Sequence, residues 1–78
     1  MHEKVRKIFS QILGIPQEQV NGETSPDTVA TWDSLKHLNL VAALEEEFGV
    51  QFDDMEVVDC TSPSMAEEIL KLRKALDR

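Results

Sequence analysis

The sequence predicts an all-α fold: a small bundle of three main helices plus one short one, with a long first loop. Apolar residues recur at three- and four-residue spacing over 3–13, 34–48 and the C-terminal stretch. Glycine or proline punctuates these stretches at Gly14, Pro16, Gly49 and Pro63. Strand signals are absent apart from the short apolar run around Val50. With 78 residues, the expectation is a single domain over 1–78, near the size at which one core barely suffices.

The first helix, about 3–13, carries Val5, Ile8, Phe9, Ile12 and Leu13 on one side, with Glu3, Lys4, Arg6, Lys7 and Gln11 mostly on the other. Gly14 and Pro16 stop it. Residues 14–33 then form an unusually long connection, which Ile15, Val20 and Val29 are expected to pin to the core. Within it Asn21-Gly22 reads as a turn and Ser25-Pro26 as the start of one helical turn. The second helix, 34–48, ends at Gly49, and Val50 and Phe52 return the chain to the core. A short helix is expected over 53–58. The last, 62–76, is capped by Thr61 or Ser62, with Pro63 in its first turn and Met65, Ile69, Leu72 and Leu76 as its apolar stripe.

Charge narrows the function classes. Eight Lys plus Arg against fifteen Asp plus Glu give a net charge of −7 and a pI near 4.6. Nucleic acid is therefore not an expected partner, since phosphate binding needs a basic surface. Partners that present Lys and Arg are favoured instead. The one cysteine, Cys60, cannot form an internal disulfide, and it reads as a small half-buried side chain. No apolar stretch approaches a membrane span or a signal-peptide core, so a cytoplasmic protein is expected, as a monomer.

The second helix has two apolar faces. At about 100° per residue, Leu40, Val41, Leu44 and Phe48 fall on one broad side with His37 among them. Leu35, Leu38 and Ala42 form a separate stripe bordered by Asn39, Glu45 and Glu46. A bundle this small covers one side, so the first face is assigned to the core and the second to a partner surface. Packing of Leu35 and Leu38 under the long loop, against Trp32, is the bland alternative. Trp32 itself reads either as loop packing or as an aromatic contact beside Ser34.

Ser34 stands where this helix begins, after Asp33 and before Leu35. Taken alone, Asp33-Ser34 is a helix N-cap. With Asp33 as the cap, the Ser34 hydroxyl is free at a helix N-terminus, a setting that favours phosphate. A nucleophilic Ser34 with His37 as base lacks a glycine-rich elbow, an evident oxyanion hole and room for a pocket, so no catalytic residue is assigned. Asp53, Asp54 and Glu56 lack the twelve-residue calcium-loop pattern, and Cys60 has no partner at metal spacing, so no metal site is assigned. Met55 and Met65 read as core or lining residues.

Asp33-Ser34-Leu35 followed by Leu44-Glu45-Glu46-Glu47-Phe48, with this length, helix order and long first loop, resembles the acyl carrier protein family across essentially the whole chain. The resemblance implies a carrier, not an enzyme. Ser34 would bear a covalent 4'-phosphopantetheine arm, donated by coenzyme A through a phosphopantetheinyl transferase, whose thiol holds an acyl group as a thioester. It implies that acyl-loading and acyl-processing enzymes dock on Trp32, Leu35, Lys36, Leu38, Asn39, Ala42, Glu45 and Glu46, beside Asp33 and Ser34. An apolar interior of Phe9, Leu40, Leu44, Phe52, Val57 and Ile69 would be available to shelter the acyl chain. Lys36 and Asn39 depart from the fatty-acid-synthesis type, which commonly has acidic residues there, and Trp32 before Asp33 is also unlike it. A specialised fatty acid or polyketide pathway is the expectation. A D-alanyl-type aminoacyl carrier and an unmodified helical adaptor remain alternatives.

Overall fold

The structure, a computed structural model, describes residues 1–76. Its helices are α1 (Glu3–Leu13), α2 (Ser34–Phe48), α3 (Asp54–Asp59) and α4 (Pro63–Leu72), with a short 3-10 turn at Gln17–Gln19 that the sequence did not announce. The described residues contain no strand. Helices α2 and α4 both pack on α1, and Phe9, Leu13, Leu40, Leu44 and Leu70 form the fully buried centre.

Local chemistry explains most boundaries. His2 caps α1, its ring nitrogen accepting from Lys4 N at 3.2 Å. Gly14 and Gly49 end α1 and α2 with φ of 70° and 64°, left-handed values that cost glycine nothing. Asp53 and Glu56 make a reciprocal capping box at α3, and Ser62 Oγ accepts from Met65 N at 3.1 Å to open α4. The long connection is ordered by its own side chains. Asn21 Oδ1 accepts from Glu23 N, and Thr31 Oγ1 donates to Leu13 O at 2.7 Å. A single turn closes at Ser25, whose carbonyl accepts from Thr28 N and Val29 N. Val20, Val29 and Trp32 anchor this segment in the core.

The last helix departs from its expected span of 62–76 and ends at Leu72. Ala75 N donates to Leu70 O and Lys74 N to Lys71 O, with Lys74 at φ 57°. This is the two-bond Schellman ending, built here on lysine rather than glycine, so composition gave no stop signal. The turn buries Ala75 and leaves Leu72 76 % exposed, so the stripe that packs is Ala66, Ile69 and Leu70. The short helix also shifts by one residue from the expected 53–58, because Asp53 is its cap.

No side chain of α3 is fully buried. The Arg73 guanidinium grips its Glu56 carboxylate, with Nε donating at 3.1 Å, and holds that carboxyl below the usual range. Met55, read as a core or lining residue, points to solvent, and Met65 is half-buried.

Cys60 is fully buried rather than half-buried. Burial pushes its thiol from 9.0 up to about 12, because the thiolate is costly away from water. The unfolded chain ionises this thiol near its ordinary value and the folded chain does not. Its contribution to stability is therefore full below that value and is lost as pH rises above about 9. The expected slope is at most about 1.4 kcal/mol per pH unit. Urea unfolding at pH 8 and 9.5 checks this, with Cys60→Ala losing the slope.

Candidate functional site

Ser34 is the first residue of α2, and the helix is capped by the residue before it. Asp33 Oδ1 accepts from Lys36 N at 2.8 Å, and Asp33 O accepts from His37 N at 2.9 Å. The task of an N-cap therefore falls on Asp33, and the Ser34 side chain is exposed at the positive end of the helix. A serine here is accessible to an incoming group without unfolding anything.

Beside it lies an open, largely apolar cleft of about 540 Å³, lined by Pro26, Trp32, Asp33, Ser34, His37, Leu38, Val58 and Thr61. Its walls come from the end of the first loop, the first turns of α2, the end of α3 and the start of the α3–α4 connection. A second cleft of about 370 Å³, near Ile15, Thr24 and Val29, shares no lining residue with it. Phe9, Leu40 and Leu44, considered as shelter for an acyl chain, are fully packed in the core.

The floor of the first cleft is a polar chain through three segments. Trp32 is buried with its ring edge-on to Phe9 at 5.8 Å and stacked on His37 at 6.0 Å. Trp32 Nε1 donates to His37 Nδ1 at 3.2 Å, and His37 Nε2 lies 2.6 Å from Val57 O. Trp32 was expected on the partner surface or as loop packing. The indole is loop packing that also lines the cleft, because Phe9 and His37 together bury both its ring and its N–H.

The outer side of α2 divides as the helical period requires. Leu35 is 65 % and Leu38 60 % exposed, and Asn39, Ala42 and Glu46 are exposed beside them. Lys36 is half-buried. Glu45 differs from the others. Its carboxylate accepts from Phe52 N at 2.7 Å, so it holds the chain after α2 and is not a free rim charge. Two apolar residues were missed by sequence reasoning: Val58 and Met55, 66 % and 68 % exposed on α3. Period alone could not place them, since six residues give too few turns to define a face.

Among the described residues no group of three His, Cys, Asp or Glu is placed to hold a metal ion, and no helix is long and apolar enough to cross a membrane.

Comparison with known proteins agrees with this geometry. The family model for the phosphopantetheine attachment site matches residues 3–70. An acyl carrier protein of Nitratidesulfovibrio vulgaris strain DP4 is 39 % identical over 77 residues, covering 99 % of this chain and 90 % of that protein. An acyl carrier protein from strain Miyazaki F of the same species is 36 % identical over 76 residues, 97 % of this chain and 88 % of its own length. Proteins of this kind receive their arm from phosphopantetheinyl transferases, carry acyl groups for acyl enzymes and are not themselves catalysts. On the match to the phosphopantetheine attachment model and the near-full-length identity, this chain belongs to the acyl carrier protein family.

Proposed function

We propose that Ser34 is the attachment point of the phosphopantetheine arm, and that residues 1–78 act as one carrier domain. The observation that carries this is the division of labour at the start of α2: Asp33 supplies the cap and leaves the Ser34 hydroxyl exposed at the rim of an apolar cleft. In the transfer, the Ser34 oxygen forms a bond to the pantetheine phosphate of coenzyme A. The adenosine bisphosphate leaves, and the hydroxyl proton passes to the transferase. The attached arm supplies a terminal thiol that holds acyl groups as thioesters. The chain itself contributes a rigid helix end, a positive dipole toward the phosphate, and apolar walls at Trp32, Leu38 and Val58 for the first part of the arm. Partner enzymes dock on Leu35, Leu38, Ala42 and Asn39, with Glu46 steering basic surfaces toward them.

The cargo pathway is a specialised one rather than general fatty acid synthesis. Lys36 and Asn39 support this reading, because they make the field beside Ser34 less negative than paired acidic residues would. A basic docking patch then gains less from the approach. The net charge of −7 and the buried, unpaired thiol of Cys60 fit a monomer in a reducing cytoplasm.

One experiment in two steps tests the proposal. The apo protein is incubated with coenzyme A and a broad-specificity transferase, and the mass gain is mapped by peptide. One phosphopantetheine on the peptide containing Ser34 is expected; a mass gain elsewhere, or none with several transferases, overturns the attachment. The holo protein is then offered to malonyl-transfer and elongating enzymes of fatty acid synthesis. Poor loading is expected, improved by Lys36→Asp with Asn39→Glu most visibly at low ionic strength. Efficient loading of the unmodified sequence would make it a housekeeping carrier.

A further inference from the structure

We infer that His37 is a positioning residue: a neutral imidazole held in one tautomer that ties Trp32, a wall of the cleft beside Ser34, to α3, and releases Trp32 when protonated. The indole N–H of Trp32 can only donate, so His37 Nδ1, 3.2 Å away, must be the acceptor and carry no proton. The imidazole proton is then on Nε2, which donates to Val57 O at 2.6 Å. A single side chain thereby ties the first loop to α3 across the base of α2. A solvent proton entering the ring takes the Nδ1 lone pair, so Trp32 Nε1–H loses its acceptor and two N–H groups face one another.

The helix so held has few other ties. α3 has six residues, none of them fully buried. Its start is gripped by Arg73 through Glu56, and its end by His37 through Val57 O. Val58, the next residue, lines the cleft with Ser34. A protonated ring keeps Nε2–H on Val57 O, so both grips on α3 survive, and the wall that loses its tie is Trp32 on the loop side.

The charged groups around His37 are few. Asp33 lines the same cleft from the loop side, and Lys36 precedes His37 on α2. On α3, Glu56 and Asp59 flank Val57 and Val58, with Glu56 engaged by Arg73. The cleft's contribution from the α3–α4 connection is Thr61, which is neutral. Histidine is the side-chain type that ordinarily changes charge between about pH 5 and 8.

This inference rests on the Ser34 reading only for what the wall does to an arm. The test uses the unmodified chain, so the two can fail separately. Trp32 is the one tryptophan, and an imidazolium against an indole quenches its emission. Lowering the pH from 8 to 5.5 is expected to reduce Trp32 emission in one step. Protection of the Trp32 amide, which donates to Val29 O, is expected to fall roughly five-fold after correction for intrinsic exchange, as loss of one hydrogen bond of ordinary net strength gives, with α3 protection unchanged. His37→Gln can accept from Trp32 and donate to Val57 O without titrating, so it should keep the high-pH emission and protection at both pH values. His2→Gln, at the other histidine, should behave as wild type. In the wild type, imidazole ¹⁵N shifts at pH 8 should show a bare Nδ1 and a protonated Nε2, which keeps the idea testable should His37→Gln misfold. The opposite tautomer, an unchanged emission in the wild type, or the same transition in His37→Gln each overturns it.

Discussion

Ser34→Ala is expected to abolish phosphopantetheine addition outright while leaving folding stability within about 0.5 kcal/mol of the parent. The two halves of that expectation have separate causes. Attachment needs the hydroxyl oxygen, and alanine has none. Stability does not need it, because Asp33 Oδ1 already takes the Lys36 amide and alanine is well suited to a helix start. Asp33→Ala should show the complement, costing about 0.5–2 kcal/mol through the lost cap and retaining the oxygen that is modified. The chain has five serines, and the others are occupied differently. Ser10 Oγ donates to Ile15 O, Ser25 Oγ accepts from Asp27 N, and Ser62 Oγ caps α4. Ser64 is exposed, but its oxygen lies against Gly22 of the first loop, where a Cβ on that glycine would come to 2.5 Å from it. Intact mass and thermal unfolding of the two variants check the prediction together. A Ser34→Ala protein that still gains the arm moves the attachment elsewhere. One that loses several kcal/mol shows that the hydroxyl has a structural task at the helix start.

Much of this arrangement was legible in the residues. The paired signals at Asp33-Ser34 and Gly49 delimit α2 because capping is local chemistry, carried by residues within a turn of the boundary. The period of Leu40, Val41, Leu44 and Phe48 placed the core face because that face is wide and the helix long. The failures share the opposite property. The end of α4 depends on a left-handed lysine, whose cost is met by burying Ala75 against the core, and no local pattern encodes that. Trp32 was left undecided because its environment is made by Phe9, far back in the first helix, and by His37. Glu45 read as a rim charge, yet its partner is a backbone amide brought back by the turn at Gly49. Val58 completes an apolar wall next to Leu38 that only the placement of α3 creates.

The same division of α2 leads to the largest stability effect. Leu44→Ala should cost about 2–5 kcal/mol, the usual price of emptying a closed leucine site. Leu44 is fully buried on the helix that packs on α1, and the site cannot collapse without moving a helix. A domain of this length has a total stability of roughly 4–12 kcal/mol, so the variant should be partly unfolded or sharply lowered in melting temperature. Leu38→Ala removes the same atoms from the same helix, but at a position 60 % exposed. Its stability should change by no more than about 0.5 kcal/mol. Its effect belongs instead to docking, as slower loading by a cognate enzyme with little change in unfolding. Chemical denaturation of both variants, followed by loading assays on the holo forms, separates the two faces. Equal destabilisation would mean that Leu38 is held by the cleft against Trp32 and Val58 rather than presented to a partner, and the docking face would then shrink to Leu35, Asn39, Ala42 and Glu46.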